Sequence, residues 1–218
     1  MGMVFGKIMV ETTKYEVVRK ASEYEIRRYA PSVIAQLTYA PSEFKGDKDG
    51  GFGVLVEYIG FFCTPKNTKS EKIGMTTPVV TKSAEGEKIG MTTPVVTKSA
   101  AGEKIAMTTP VVTDEKKDLV TMQFVLPEKY KKAAEAPTPT DPRVVIVEEG
   151  EKDYGVVTFS GSATEGVVAE KARKLKEWLA RDGVRVVGEY SLARYNPPWR
   201  TLPAFRTNEV KYPVEFNQ

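Results

Sequence analysis

EKIGMTTPVVTKSAEG (Glu71–Gly86), EKIGMTTPVVTKSAAG (Glu87–Gly102) and EKIAMTTPVVT (Glu103–Thr113) are one phrase written three times in tandem. The first two copies differ only at Glu85 and Ala101, and the third carries Ala106 where they carry Gly74 and Gly90. Alternation through Ile105, Met107, Thr109 and Val111 sets apolar residues on one side of a β-strand. Met75, Met91 and Met107 then fill a core, the other reading of a thioether being contact with a haem macrocycle or its iron. Pro78, Pro94 and Pro110 cannot donate to a ladder and belong at an edge, a bulge or a strand end. All copies present the same face, so exchange of one for another costs little. A fold has room for a given strand once, and the third copy, which runs into Leu119–Leu126, is expected to take the place.

Outward from the repeats, the chain reads as two similar halves. Tyr15–Arg19, Tyr24–Tyr29 and Ser32–Tyr39 are strands. Phe52, Leu55, Val56 and Ile59 fall at helical spacing behind an Asp49 N-cap, and Gly60 and Pro65 stop the helix. After Leu119–Leu126 and a Pro-rich linker, Val144–Glu148 turns and returns as Tyr154–Phe159. A second helix opens on an S-x-x-E capping box, Ser162 and Glu165. It carries Val168, Ala172, Leu175 and Leu179 on one face, flanked by Trp178, and ends at Gly183. Strands Val184–Tyr195 and Asn208–Phe216 follow, joined by the proline-stiffened Tyr195–Phe205 loop. Each half is ββαββ. The expected architecture is α+β, one domain over residues 1–218 with the 71–113 repeats inserted: an eight-stranded antiparallel β-barrel, pseudo-twofold, with two flanking helices.

Composition removes several function classes. The 32 basic and 29 acidic residues are dispersed and leave a net charge of only +3, which argues against nucleic acid. No run of 18 apolar residues offers a membrane span. The first residues lack the pattern of a secretory or transit segment, and Gly6 breaks a myristoylation motif begun at Gly2. With Cys63 the sole cysteine there is no internal disulfide, and a cytoplasmic location is expected. Cys63, after Phe61-Phe62, is expected to be a small buried hydrophobe. The absence of histidine excludes Ser-His-Asp and Cys-His catalysis, His-based zinc sites and His ligation of haem iron within the chain. The Gly46–Gly51 segment begins like a calcium loop, but Gly51 and Tyr58 stand where ligands are required. No metal site and no catalytic group are assigned. Trp199 and Phe205 on the loop suit an aromatic lid over a flat ligand or a plug for one end of the barrel.

KIAMTTPVV (Lys104–Val112), EYEIRRYAPSVIA (residues 23–35) and ARYNPPWRTLPAFRTNEV (residues 193–210) together resemble the SOUL haem-binding protein family. FKGDKDGGF and VTMQFVLPEKYKKAAEAPTPTDPRVVI are similar to its plant cytosolic members, and the resemblance runs from about residue 11 to 216. It implies a distorted antiparallel barrel of two similar halves and reversible binding of haem and other tetrapyrroles, as a carrier or buffer, in a shallow apolar site. Carried over by position, the resemblance implies a site of Phe52, Leu55, Val56 and Ile59 on the first helix, with Tyr195, Trp199 and Phe205 on the loop. Two departures follow. Where some animal members carry basic residues on that helix for the propionates, this chain has Asp49 and Glu57, leaving Arg194, Arg200 or Arg206 to substitute. Any bond to iron must come from Tyr, Met, Cys, Lys or water, so metal-free porphyrins become nearly as good ligands as haem. Two other readings stay open: an enzyme on a tetrapyrrole pigment through Tyr195, Arg194 and Glu189, and a module whose edge strands recruit a protein partner or a second copy.

Overall fold

The computed structural model describes residues 10–84, 119–198 and 200–216. Its strands are β1 (Glu11–Thr12), β2 (Tyr15–Lys20), β3 (Glu25–Tyr29), β4 (Ser32–Tyr39), β5 (Thr76–Thr77), β6 (Val79–Ala84) and β7 (Leu119–Val125) in the first half. The second half supplies β8 (Val144–Glu149), β9 (Lys152–Ser160), β10 (Arg185–Val186), β11 (Ser191–Arg194) and β12 (Thr207–Glu215). Helix α1 (Gly51–Ile59) separates β4 from β5, and α2 (Glu165–Arg181) separates β9 from β10.

Ten strands form one sheet in the order β2-β3-β9-β12-β11-β6-β7-β4-β8, with β10 paired to β12 off that path. All its pairings are antiparallel. Exchanging the halves (β3 with β8, β4 with β9, β6 with β11, β7 with β12) turns the order from β3 to β8 into itself read backwards. This symmetry rests on a swap. β3 and β4 are joined through Ala30 and Pro31 yet do not pair; β3 pairs with β9 and β4 with β8. The expected hairpin from Val144–Glu148 to Tyr154–Phe159 is therefore two strands that part to opposite ends of the sheet. The sheet curls into a half-barrel: its path ends at β2 and β8, which do not pair with each other among the described residues.

The two helices cover one face. Strand alternation turns Val33, Ala35, Leu37 and Tyr39 toward α1, where they pack with Leu55, Tyr58, Ile59, Met122 and Phe124. The equivalent core under α2 holds Ile26, Val157, Phe159, Val168, Ala172, Leu175, Leu179 and Val210. Both helices lie close on the sheet at glycines. A Cβ on Gly51 would stand 2.3 Å from Tyr39 Cε1, and one on Gly155 would stand 2.7 Å from Leu179 Cδ2.

Several local expectations are corrected. The residue before α1 is Gly50, and Asp49 instead donates its backbone N–H to Asp47 Oδ1. The Ser162–Glu165 capping box does not form: Thr164 precedes α2, and the Glu165 carboxylate pairs with Lys48 at 2.6 Å. Val184–Tyr195 is broken into β10 and β11 where Gly188 passes Pro213, which a Cβ would meet at 2.9 Å. Cys63 is exposed. Gly60 adopts the left-handed conformation (φ 71°) that ends α1, and the chain leaves the core there, exposing Phe61 and Phe62 as well. The first copy of the repeat, not the third, occupies the sheet: Val79–Ala84 pairs with β7 on one side and β11 on the other. Pro78 lies at a strand end, between β5 and β6. The second and third copies lie outside the described residues.

The helix-free face carries buried polar groups. Arg27 on β3 donates Nη1–H to Glu209 Oε1 on β12 at 2.7 Å and Nε–H to Glu25 Oε2 at 2.8 Å. Tyr195 donates its hydroxyl to Glu209 Oε2 at 2.7 Å. Both charged side chains of the Arg27–Glu209 pair are almost fully buried.

Two outcomes follow. Removing Glu71–Gly102 would join Ser70 to Glu103 and hand the sheet position to the third copy; the added methyl of Ala106 fits, since a Cβ at Gly74 meets only Pro127 Cγ at 3.7 Å. This deletion should unfold cooperatively on heating, with a midpoint within about 5 °C of the full chain, a shift of roughly 1 kcal/mol; a molten, non-cooperative product would contradict the exchange. Arg27→Met strands a buried carboxylate and should lower the unfolding free energy in urea by about 3–5 kcal/mol, whereas Arg27→Met with Glu209→Leu should lose distinctly less.

Candidate functional site

The residues expected at a ligand site divide between the two faces. Leu55 and Ile59 are fully enclosed and Val56 nearly so, all within the core under α1. They back the helix rather than line a surface. Phe52 is partly buried, its ring 5.6 Å from that of Phe124 in an edge-on contact. Tyr195 points to the helix-free face, where its hydroxyl donates to Glu209 Oε2. Burial and then the Glu209 charge push the Tyr195 hydroxyl far above its ordinary pKa, so it is a fixed donor. Phe205 is 45% exposed at the end of the loop. Trp199 lies outside the described residues.

The loop is nevertheless anchored beside the start of α1. Arg194, the last residue of β11, donates Nη1–H to Asp49 Oδ1 at 2.7 Å. Asp49 thus holds the loop's base three residues before Phe52. Lys48 pairs with Glu165, which ties the same corner to the start of α2. Arg206 braces the loop from within, donating Nε–H to the Thr201 carbonyl and Nη2–H to the Pro198 carbonyl, both at 2.9 Å. The loop also accepts from the Gly161 N–H at Pro203 O, 3.1 Å. On this braced loop Leu202 is 61% exposed, an apolar residue that the periodicity of the sequence had no means of singling out. Arg194, Tyr195 and Glu189 do not converge: Arg194 binds Asp49 on the helix side, while Tyr195 binds Glu209 on the other.

The helix-free face holds a second group that sequence reading missed. Lys211 is buried, its ammonium 4.7 Å from the ring centre of Tyr29 and 5.4 Å from that of Tyr154. Burial draws its pKa down to about 8, against the opposing pull of Glu209 and Glu149. Glu149 is itself engaged, at 2.8 Å from Lys152 Nζ. Burial alone would raise the Glu149 pKa, but Lys152, Lys82 and Lys211 together bring it below the ordinary value. The sequence signal for this layer is Glu209 and Lys211 alternating with Val210, Tyr212 and Val214, which lie in the core under α2.

Comparison with solved structures places the fold. The C-terminal domain of EcmrR matches at 12% identity with a TM-score of 0.52, over 93% of this chain and 99% of that one. EcmrR in its DNA complex matches at 11% identity and TM-score 0.54, over 89% of this chain and 58% of that one. An uncharacterized conserved protein from Listeria innocua matches at 10% identity and TM-score 0.52, covering 88% and 92%. At such identities the likeness is one of fold alone. Comparison with curated proteins returns no match. The family model described as SOUL heme-binding protein matches residues 10–88 and 98–213, nearly the whole chain. The chain belongs to the SOUL haem-binding protein family.

Proposed function

We propose that this protein binds haem or another porphyrin reversibly, as a carrier or buffer, without chemistry on the ring. The observation that carries this reading is the family match across both halves, over residues 10–88 and 98–213. The proposed site is the corner between the start of α1 and the Pro-rich loop, with Phe52, Leu202, Phe205 and Trp199 against the macrocycle. Leu55, Val56, Ile59 and Tyr195 set the position of those groups from behind. The residues fit a flat apolar ligand: Leu202 and Phe205 offer apolar surface to water on a loop that Arg206 stiffens, so little ordering accompanies binding. Arg194 is one-third exposed and already paired with Asp49, which leaves Arg200 as the exposed cation for a propionate. Bound haem would bring an iron centre, and a chain without histidine offers it no imidazole. Ring burial therefore carries the affinity. The palindromic strand order supports an origin of the two ββαββ halves by duplication.

Titration with hemin and with protoporphyrin IX, followed by the Soret band and tryptophan quenching, should give saturable binding of both, with dissociation constants within about tenfold of each other. Phe205→Ala and Leu202→Ala should each weaken both ligands by about three- to tenfold, the effect of uncovering one apolar side chain. No saturation of either ligand below about 10 µM, roughly −7 kcal/mol, would count against the reading.

A further inference from the structure

Two buried donors on the helix-free face, Lys211 Nζ and Tyr29 Oη, have no carboxylate partner among the described residues. Lys211 and Tyr29 are each 6% exposed. Lys211 Nζ has no carboxylate within 4 Å among the described residues, because Glu209 is held by Arg27 and Glu149 by Lys152. Tyr29 Oη is buried with no hydrogen-bond partner among the described residues. Both residues line the same partly open cavity of about 40 Å³. The cavity shares Lys82, Gln123, Lys152, Tyr154 and Ser191 with a groove of about 640 Å³. A groove of that size is in the range that accepts small molecules.

A buried ammonium and a buried hydroxyl facing one cavity call for an acceptor that also carries negative charge. Water would satisfy the donors but not the charge. A cationic guest in the cavity would find Glu149, the carboxylate that lines it among the described residues, already engaged by Lys152 and would meet the Lys211 ammonium. We propose that this cavity is a binding site for a small carboxylate, with the acid group held by Lys211 and Tyr29 and the body of the molecule in the groove. It lies on the face of the sheet opposite α1 and the Pro-rich loop, and so is separate from the porphyrin site proposed above.

The charge state of Lys211 gives the site a pH signature. Glu209 on its own strand, Arg27 and Tyr29 from β3, Tyr154 from β9, Lys82 from β6 and Glu149 from β8 all act on it. Its ordinary value of 10.5 is lowered to about 8, so the ammonium form is present at neutral pH and is lost as pH rises beyond that. Bound carboxylate would hold the proton on and move the loss somewhat higher.

Calorimetric titration of the full-length protein with benzoate tests this, with benzamide and benzylamine as neutral and cationic probes of the same shape. Benzoate should bind saturably at pH 7 with a dissociation constant of about 1 mM or below, and benzamide and benzylamine at least about tenfold more weakly. Benzoate affinity should fall about tenfold between pH 7 and 10. Lys211→Met, which removes the charge but keeps the bulk, should weaken benzoate by about tenfold or more, and Tyr29→Phe, which deletes only the hydroxyl, by about threefold. Neither change should alter protoporphyrin binding, which reports that each variant is folded. Benzamide or benzylamine binding as well as benzoate, or benzoate binding unchanged in both variants, would overturn the proposal.

Discussion

Neither half of this chain can complete its own sheet. One strand of each half, β3 or β8, pairs with a strand of the other half, β9 or β4. Four strands leave the Ala30-Pro31 and Gly150-Glu151 connections and cross over, so each helix-side core is closed by a strand from the opposite half. Ile26 of β3 lies in the core under α2, and Val144 of β8 lies in the core under α1. The domain is thus bound by pairing between residues more than a hundred positions apart, the kind of contact whose loop-closure cost is met only when the whole sheet forms.

The swap also creates two faces of different chemistry. On one, the helices bury aliphatic side chains, and at their adjoining starts the Asp49–Arg194 and Lys48–Glu165 pairs fasten the Pro-rich loop. These partners are between one-third and four-fifths exposed and contribute little stability, so their effect is one of position. On the other, side chains from both halves meet in a layer that sets buried charges beside Val80, Val156 and Ala193. Arg27 and Glu209 belong to different halves, as do Lys82 and Lys211. Burying the Arg27–Glu209 pair costs desolvation that the short contact and the Tyr195 hydrogen bond must offset. The exact register of β3, β9 and β12 is what makes that offset available, so the ion pair also disfavours a slipped sheet.

Much of this was legible in the sequence. Val168, Ala172, Leu175 and Leu179 follow a helical period and are the buried face of α2. Gly60 and Gly183 were read as helix stops and have positive φ. The motif set that resembles the SOUL family agrees with the family model. What failed had physical causes. Local pattern cannot show that adjacent strands part company, so Val144–Phe159 looked like a hairpin. Identical repeats carry no information about which copy is used, and the first copy reaches the sheet directly after the Asn67 turn that holds Glu71 through its side chain. The Ser162 box lost Glu165 to Lys48, a partner 117 residues away. Arg27, Glu209 and Lys211 read as the solvent side of half-buried strands, because alternation marks two sides of a strand but not whether the second is wet.

The central claim is that the apolar corner of α1 and the Pro-rich loop takes the porphyrin while the polar face does not. Backbone amide shift mapping with protoporphyrin IX, which is diamagnetic, separates the two directly. Perturbations are expected to concentrate at Phe52, Val54, Leu202 and Ala204–Arg206, with Tyr29, Ser191 and Lys211 unmoved. Perturbations centred on Tyr29, Ser191 and Lys211, with the loop unmoved, would contradict it.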